Sequence, residues 1–258
     1  MRGMLRWPGG KGHKLKVLIP AFPEHETYVE PFAGGAALFW AKKPAAKSVL
    51  GDMNDWLIHF YDEVRRGGLR KCGKMLHTRD NFDKMKLCSS TCCRLFINKT
   101  SWHGDMQALG TANPNGKPVA MNVLRNLEQY ERRLASTHLR LGDFEDTMRM
   151  FDSPTTFHYL DPPWTAMERS RAYSKKHYHK DGGGDDVPVE KVARVASEME
   201  GEVMISYDDT DRARKAFLGA NLYVYLLPTT RASGRDGTVV ATELVVTNYA
   251  LPDRLKGR

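Results

Sequence analysis

The chain has 258 residues, 41% of them hydrophobic and 27% charged, and 39 Lys and Arg against 31 Asp and Glu leave a net charge of +8. That length supports one large α/β domain, or one domain carrying a smaller insertion, and the hydrophobic content excludes a disordered chain. No apolar run reaches the roughly 20 residues that span a bilayer, and the opening MRGMLRWPGGKGHKL lacks the apolar centre of a secretory signal, so a cytoplasmic protein with a leaning toward polyanions such as nucleic acid is expected.

In chain order, Tyr28–Phe32 reads as a buried strand running into Gly34-Gly35, and Ala36–Ala41 as the start of a helix. Ser48–Gly51 is a short predicted strand ending at Asp52, and Trp56–Arg66 has a helical apolar period. This alternation opens a doubly wound, Rossmann-like parallel sheet. The basic middle, residues 67–120, holds one predicted helix, Thr91–Asn98, and a turn-rich stretch, Gly110–Pro118. It fits an inserted module better than another β-α unit. All four cysteines lie there: Cys72, Cys88, Cys92 and Cys93. They show no disulfide framework and no paired C-x-x-C spacing, so reduced structural thiols are expected ahead of a metal site.

Asn122–Thr137 returns to a helical period, and Leu139–Leu141 reads as a strand into Gly142-Asp143. Thr156–Leu160 is a strand that stops at Asp161-Pro162-Pro163-Trp164. A loop rich in charge and glycine follows. Then come a helix over Val189–Glu200, a strand over Glu202–Tyr207, a helix over Asp211–Leu218, and strands over Leu222–Leu227 and Val239–Tyr249. The last two strands, joined by the polar loop Thr229–Gly237, form a predicted hairpin at the sheet edge.

Three features sit at carboxyl ends of predicted strands, where open α/β sheets bind ligands. Gly34-Gly35 after a strand lets the backbone approach a ligand closely, although an ordinary tight turn has the same composition. Asp52 lies near the interval expected of a ribose-binding acid, although a strand-end Asp also caps helices. In Asp161-Pro162-Pro163-Trp164 the two prolines stiffen the backbone and remove two N–H donors. A carboxylate and the Pro162 carbonyl then form an acceptor pair beside an aromatic face, which suits an exocyclic NH2 on a flat ring. A packing loop with a capping Asp would read the same in isolation. It loses ground once the three features share one sheet.

These stretches resemble the Dam-type adenine-N6 DNA methyltransferases. Leu5–Lys11 looks like the family's N-terminal motif, Glu30–Gly35 like its glycine motif and Gly51–Ile58 like the stretch whose first Asp holds the cofactor ribose. Leu95–Lys99 with Trp102-His103-Gly104 resembles the start of its DNA-recognition region, Gly142-Asp143-Phe144 its adenine-side cofactor contact, and Asp161–Trp164 its catalytic motif. The catalytic aromatic is Trp where the family commonly has Tyr, and the region from Gly104 to Asn122 is short and lacks an Arg-rich hairpin.

The resemblance implies a class I S-adenosylmethionine-dependent fold, with residues 1–66 and 122–258 catalytic and 67–121 the inserted, mainly helical recognition module. It implies catalysis by Asp161, Pro162, Pro163 and Trp164. Trp7, Lys11, Glu30, Phe32, Gly34, Asp52, Asp143, Phe144 and Asp161 would hold S-adenosyl-L-methionine, with no metal. Double-stranded DNA would meet Arg94, Lys99, Trp102, Lys175, Lys176, Arg231 and Arg235. Basic residues interleaved with aromatics over 169–180 suit phosphate contact and stacking, as well as a plain solvated loop. Trp102 suits either a contact or a core position. His77, His103, His138, His177 and His179 show no catalytic partner in sequence. A monomeric, solitary methyltransferase that flips its target base is expected. The same fold acting on cytosine N4 or RNA, and an idle DNA-binding relative, are the competing readings.

Overall fold

Thr156–Leu160 is buried at every position, which explains why Thr-Phe-His-Tyr-Leu shows no alternation of polar and apolar residues. It is the central strand of a sheet seen in the computed structural model, which describes residues 1–110, 122–163, 187–233 and 237–251. Seven strands, β1 (Thr27–Glu30), β2 (Lys47–Asp52), β3 (Thr137–Leu141), β4 (Thr156–Leu160), β5 (Glu202–Asp208), β6 (Tyr223–Ser233) and β7 (Gly237–Thr247), lie in the order β3-β2-β1-β4-β5-β7-β6. β1 pairs in parallel with β2 and β4, and β4 with β5. β7 runs antiparallel between β5 and β6. The first five positions follow the Rossmann order, with the switch point between β1 and β4.

The helices are α1 (Leu15–Leu18), α2 (Ala37–Ala41), α3 (Asp55–Arg65), α4 (Arg79–Lys86), α5 (Thr91–Thr100), α6 (Leu127–Ala135), α7 (Phe144–Phe151), α8 (Val189–Ser197) and α9 (Asp211–Gly219). Among the described residues, no helix is long and apolar enough to cross a membrane. The chain divides into two compact units. One comprises 1–16, 34–44 and 56–139, and the other 17–33, 45–55 and 140–258. In the second, α7, α8 and α9 bury Phe144, Met148, Val192 and Phe217 with the strand residues Val203, Ile205 and Val246. The first is built around aromatics. Trp40 meets Tyr130 edge-on at 5.1 Å, and the Arg133 guanidinium lies 4.7 Å from the Phe39 ring centre.

Several sequence expectations are corrected. The helical period over Asn122–Thr137 resolves into a 3₁₀ turn at Asn122–Asn126 followed by α6, with Thr137 already in β3. The polar loop Thr229–Gly237 is mostly strand, because β6 runs to Ser233 and β7 starts at Gly237. Long cross-strand pairing overrides its polar composition. α4 and α7 had no predicted helix. Both begin at side-chain caps: Thr78 Oγ1 accepts from Asn81 N at 3.2 Å and Asp143 Oδ1 from Glu145 N at 2.8 Å.

The expectation of reduced cysteines is also overturned, by Cys72–Cys92 and Cys88–Cys93 disulfides. Cys92 and Cys93 are adjacent on α5, so their side chains leave the helix about 100° apart. One reaches the loop before α4 and the other the loop after it. Sequence spacing hides such pairing, because helix packing alone brings Cys72 to Cys92. Closing a 20-residue separation constrains the unfolded chain by about 3 kcal/mol. Reduction with dithiothreitol is therefore expected to lower the melting temperature by several degrees in calorimetry, and Cys72→Ser should respond less than wild type, since only the Cys88–Cys93 bridge is left to reduce.

Candidate active site at the strand ends

The parallel register brings the predicted acids to one edge of the second unit. Val29 of β1 is level with Val49 of β2 and His158 of β4. Asp52 and Asp161 each lie three residues beyond that level, on either side of β1, whose last residue is Glu30. Glu30 is buried, and its Oε2 accepts from the Tyr28 hydroxyl at 2.8 Å. Asp52 is half-buried and its Oδ1 accepts from Asn54 N at 2.9 Å. This local capping turn shapes the strand end. Gly51, just before it, has its Cα against Thr147, where a Cβ would stand 3.0 Å from Cγ2.

Asp161 is half-buried and Pro162 buried. Beneath them Tyr159 is buried, its hydroxyl 2.8 Å from Ser206 Oγ on β5. Burial, with the nearby charges of Asp161, Glu30 and Glu243, pushes the Tyr159 hydroxyl well above its ordinary pKa. It therefore stays protonated, a neutral floor under the acidic edge. Asp208 at the end of β5 and Glu243 on β7 are buried and paired in register. Sequence reading passed over both, since neither lies in a turn motif.

Phe32 stacks on Phe144 with ring centres 5.0 Å apart. Asp143 caps α7, and Lys191 Nζ on α8 lies 3.3 Å from both its carboxylate oxygens and 4.8 Å from the Phe144 ring centre. Lys191 was missed, because its partner is 48 residues away in sequence.

In the first unit, Gly34 has φ +45° and Ala36 φ +48°, both left-handed, so the turn into α2 is backbone that glycine favours. The Gly34 carbonyl accepts from the buried Tyr61 hydroxyl at 2.7 Å. Trp7 covers the turn: a Cβ on Gly34 would stand 2.6 Å from Trp7 Nε1, and one on Gly35 2.9 Å from Trp7 Cβ. Lys11 is buried, and its Nζ donates to the Gly9 carbonyl at 3.3 Å. Within this unit Trp7 therefore packs directly on the glycine turn, a contact the sequence did not announce.

Among the expected DNA contacts, Arg94 is half-buried with its guanidinium 5.8 Å from the Trp56 ring centre. Lys99 is half-buried, and burial first, then the Arg6 charge, lowers its ammonium pKa to about 8. Trp102 is 49% exposed, which removes the core alternative. Arg231 lies on β6 opposite Val239. Trp164, Lys175, Lys176 and Arg235 lie outside the described residues, as do His177 and His179. His77 is half-buried and His138 exposed.

The family model of the D12 class N6 adenine-specific DNA methyltransferases matches residues 7–86 and 81–226. The type II methyltransferase M1.LlaDCHI of Lactococcus lactis subsp. cremoris is 22% identical over 276 aligned positions, covering 96% of this chain and 96% of that protein. The type II methyltransferase M.CviBI of Paramecium bursaria Chlorella virus NC1A is 24% identical over 189 positions, 67% of this chain and 73% of that protein. A shorter stretch of 65 residues is 35% identical to the DNA N-6-adenine-methyltransferase of Escherichia phage P1, covering 25% of this chain and 8% of that protein. With Glu30, Asp52 and Asp161 at the carboxyl ends of β1, β2 and β4 and a family match running from Trp7 to Leu226, the chain belongs to the D12 class N6 adenine-specific DNA methyltransferases.

Proposed function

We propose that the chain takes its methyl group from S-adenosylmethionine and delivers it at the Asp161-Pro162-Pro163-Trp164 loop to an adenine turned out of duplex DNA. The register that sets Asp52 and Asp161 at equal height on either side of β1 carries this reading. The donor set suits the cofactor: an acid at the end of β2 matches sugar hydroxyls, and stacked Phe32 and Phe144 offer an apolar wall beside Asp143, the cap of α7. Glu30, Asp52, Asp143, Phe32, Phe144 and Asp161 are assigned to the cofactor from these strand and loop ends, together with Trp7, Lys11 and Gly34. S-adenosylmethionine supplies, when bound, a methyl group activated by its sulfonium centre.

The protein's part is acceptance, stacking and charge. A duplex hides the adenine N6 edge, so the base must leave the stack. The Asp161 carboxylate and the Pro162 carbonyl accept the two amine hydrogens, turning the nitrogen lone pair away from ring conjugation, and Trp164 stacks on the base. No proton acceptor other than these oxygens is needed to orient the amine, and charge developing on nitrogen is stabilised by the fixed carboxylate. Arg94, Lys99, Trp102, Lys175, Lys176, Arg231 and Arg235 are assigned to DNA, with residues 67–121 as the recognition module of a monomeric cytoplasmic enzyme. A phosphate beside Lys99 would restore the charge that burial disfavours.

Transfer of labelled methyl to unmethylated duplex DNA, followed by nucleoside analysis, tests the reading. Label in N6-methyladenine is expected; label confined to cytosine or RNA would refute it. Gly34→Ala is expected to weaken cofactor binding at least about tenfold in calorimetry, because the added Cβ meets the Trp7 indole and φ +45° strains any L side chain.

A further inference from the structure

Asn98 is fully buried on α5, and its amide is directed at one distant residue. Its Oδ1 accepts from the Arg6 backbone N–H at 2.8 Å, and its Nδ2 donates to the Arg6 carbonyl at 2.8 Å. Only one orientation of the amide satisfies both atoms, since a carbonyl needs a donor and an N–H an acceptor. A side chain that pairs both polar groups of a residue acts like one rung of a β-ladder, fixing position and rotation together. Gly104 closes the other side. It has φ +82°, and a Cβ there would stand 2.4 Å from the Arg6 carbonyl oxygen. Asn98 Nδ2 also lies 3.5 Å from the Gly104 carbonyl.

Arg6 is directly followed by Trp7, whose indole covers Gly34 and Gly35. Among the described residues the Asn98 amide bonds to the backbone of Arg6 and Gly104 and to no group assigned to the reaction, so its effect passes through the Arg6 backbone. We propose that Asn98 is a positioning residue for methyl-donor binding. It holds Arg6 so that Trp7 stays packed on the glycine turn, and it ties that segment to the helix leading into Trp102–Gly104. The role rests on the reading of Trp7 and Gly34 as cofactor contacts.

Calorimetric titration of the DNA-free protein with S-adenosylhomocysteine tests it. Asn98→Ala is expected to raise Kd about tenfold, the size of losing one to two buried hydrogen bonds. KM for S-adenosylmethionine should rise alike, with kcat at saturating cofactor within about twofold. Thr100→Val removes a different buried polar group of α5, a hydroxyl that donates to the Phe96 carbonyl at 2.8 Å. It should lower the melting temperature and leave Kd unchanged. Asn98→Leu keeps the side-chain volume and loses both bonds, so it decides the matter in the same way should Asn98→Ala not fold. Unchanged Kd in a folded Asn98 variant, with Kd raised in Trp7→Ala, overturns the positioning role alone. Unchanged Kd in both removes the cofactor role of Trp7 and the proposal with it. An equal rise in Thr100→Val reduces Asn98 to general support of the helix, which also overturns the proposal.

Discussion

Asp161→Ala is expected to lower kcat for methyl transfer by about 10³-fold, the scale of removing one preorganised group from a site of developing charge. The reason is geometric. Asp161 follows a strand buried at every position, and two prolines follow it, so its carboxylate has little freedom to drift. In the proposed arrangement the adenine amine would then keep one acceptor, the Pro162 carbonyl, and its lone pair would return toward the ring. Asp161→Asn retains an acceptor oxygen without the charge, and should fall between wild type and alanine, roughly ten- to a hundredfold down. Single-turnover transfer of labelled methyl, with circular dichroism unchanged, measures both. Alanine within about tenfold of wild type would remove Asp161 from the role of amine acceptor.

The second large effect is on stability, and it lies away from the carboxyl ends of the strands. Asp152 Oδ1 accepts from His158 Nε2 at 3.0 Å and from Gly201 N at 3.0 Å, and Oδ2 from Glu200 N at 2.8 Å. A carboxylate only accepts, so His158 carries its proton on Nε2. Two of these bonds tie the chain before β4 to the turn before β5, and the third ties it to His158 within β4; in that turn a Cβ on Gly201 would stand 2.5 Å from the Thr156 carbonyl oxygen. Asp152→Ala leaves a fully buried His158 and two backbone N–H groups without this acceptor. The expected loss is about 3 kcal/mol, read from urea unfolding.

The same residue gives a pH dependence of known sign. Burial acts to raise the Asp152 pKa, but the hydrogen bonds from His158, Glu200 and Gly201 outweigh it and the net shift is downward. A carboxyl whose folded pKa lies below its unfolded value stabilises the fold above the unfolded value, about 4, and loses that contribution as pH falls through the folded one. Stability of the wild type should therefore drop below about pH 4 more steeply than that of Asp152→Asn. Parallel acid limbs for the two proteins would exclude this carboxylate as the cause.

Strand β4 was legible from the sequence to its last residue, and so were the glycine turn, Asp52 and the Asp-Pro-Pro loop. Each is local: a strand ends where prolines forbid pairing, and a turn needs glycine where φ is positive. Local rules of this kind determine which residues stand at strand ends, and a sheet with parallel register brings those ends together. That much of the candidate site followed from order along the chain. The long hairpin β6–β7 was half legible, since its polar residues read as loop until cross-strand pairing decided otherwise.

What the tertiary structure alone decided are partnerships at long range. Asn98 and Arg6 are 92 residues apart, Tyr61 and Gly34 are 27, and Lys191 and Asp143 are 48. The Cys72–Cys92 bridge likewise depends on how α5 packs. A buried Asn, a Tyr hydroxyl or a cysteine on a helix has the same sequence signature whichever neighbour it meets. Its partner is chosen by helix packing, where a polar group shut away from water must find whatever complementary atom the fold brings within reach.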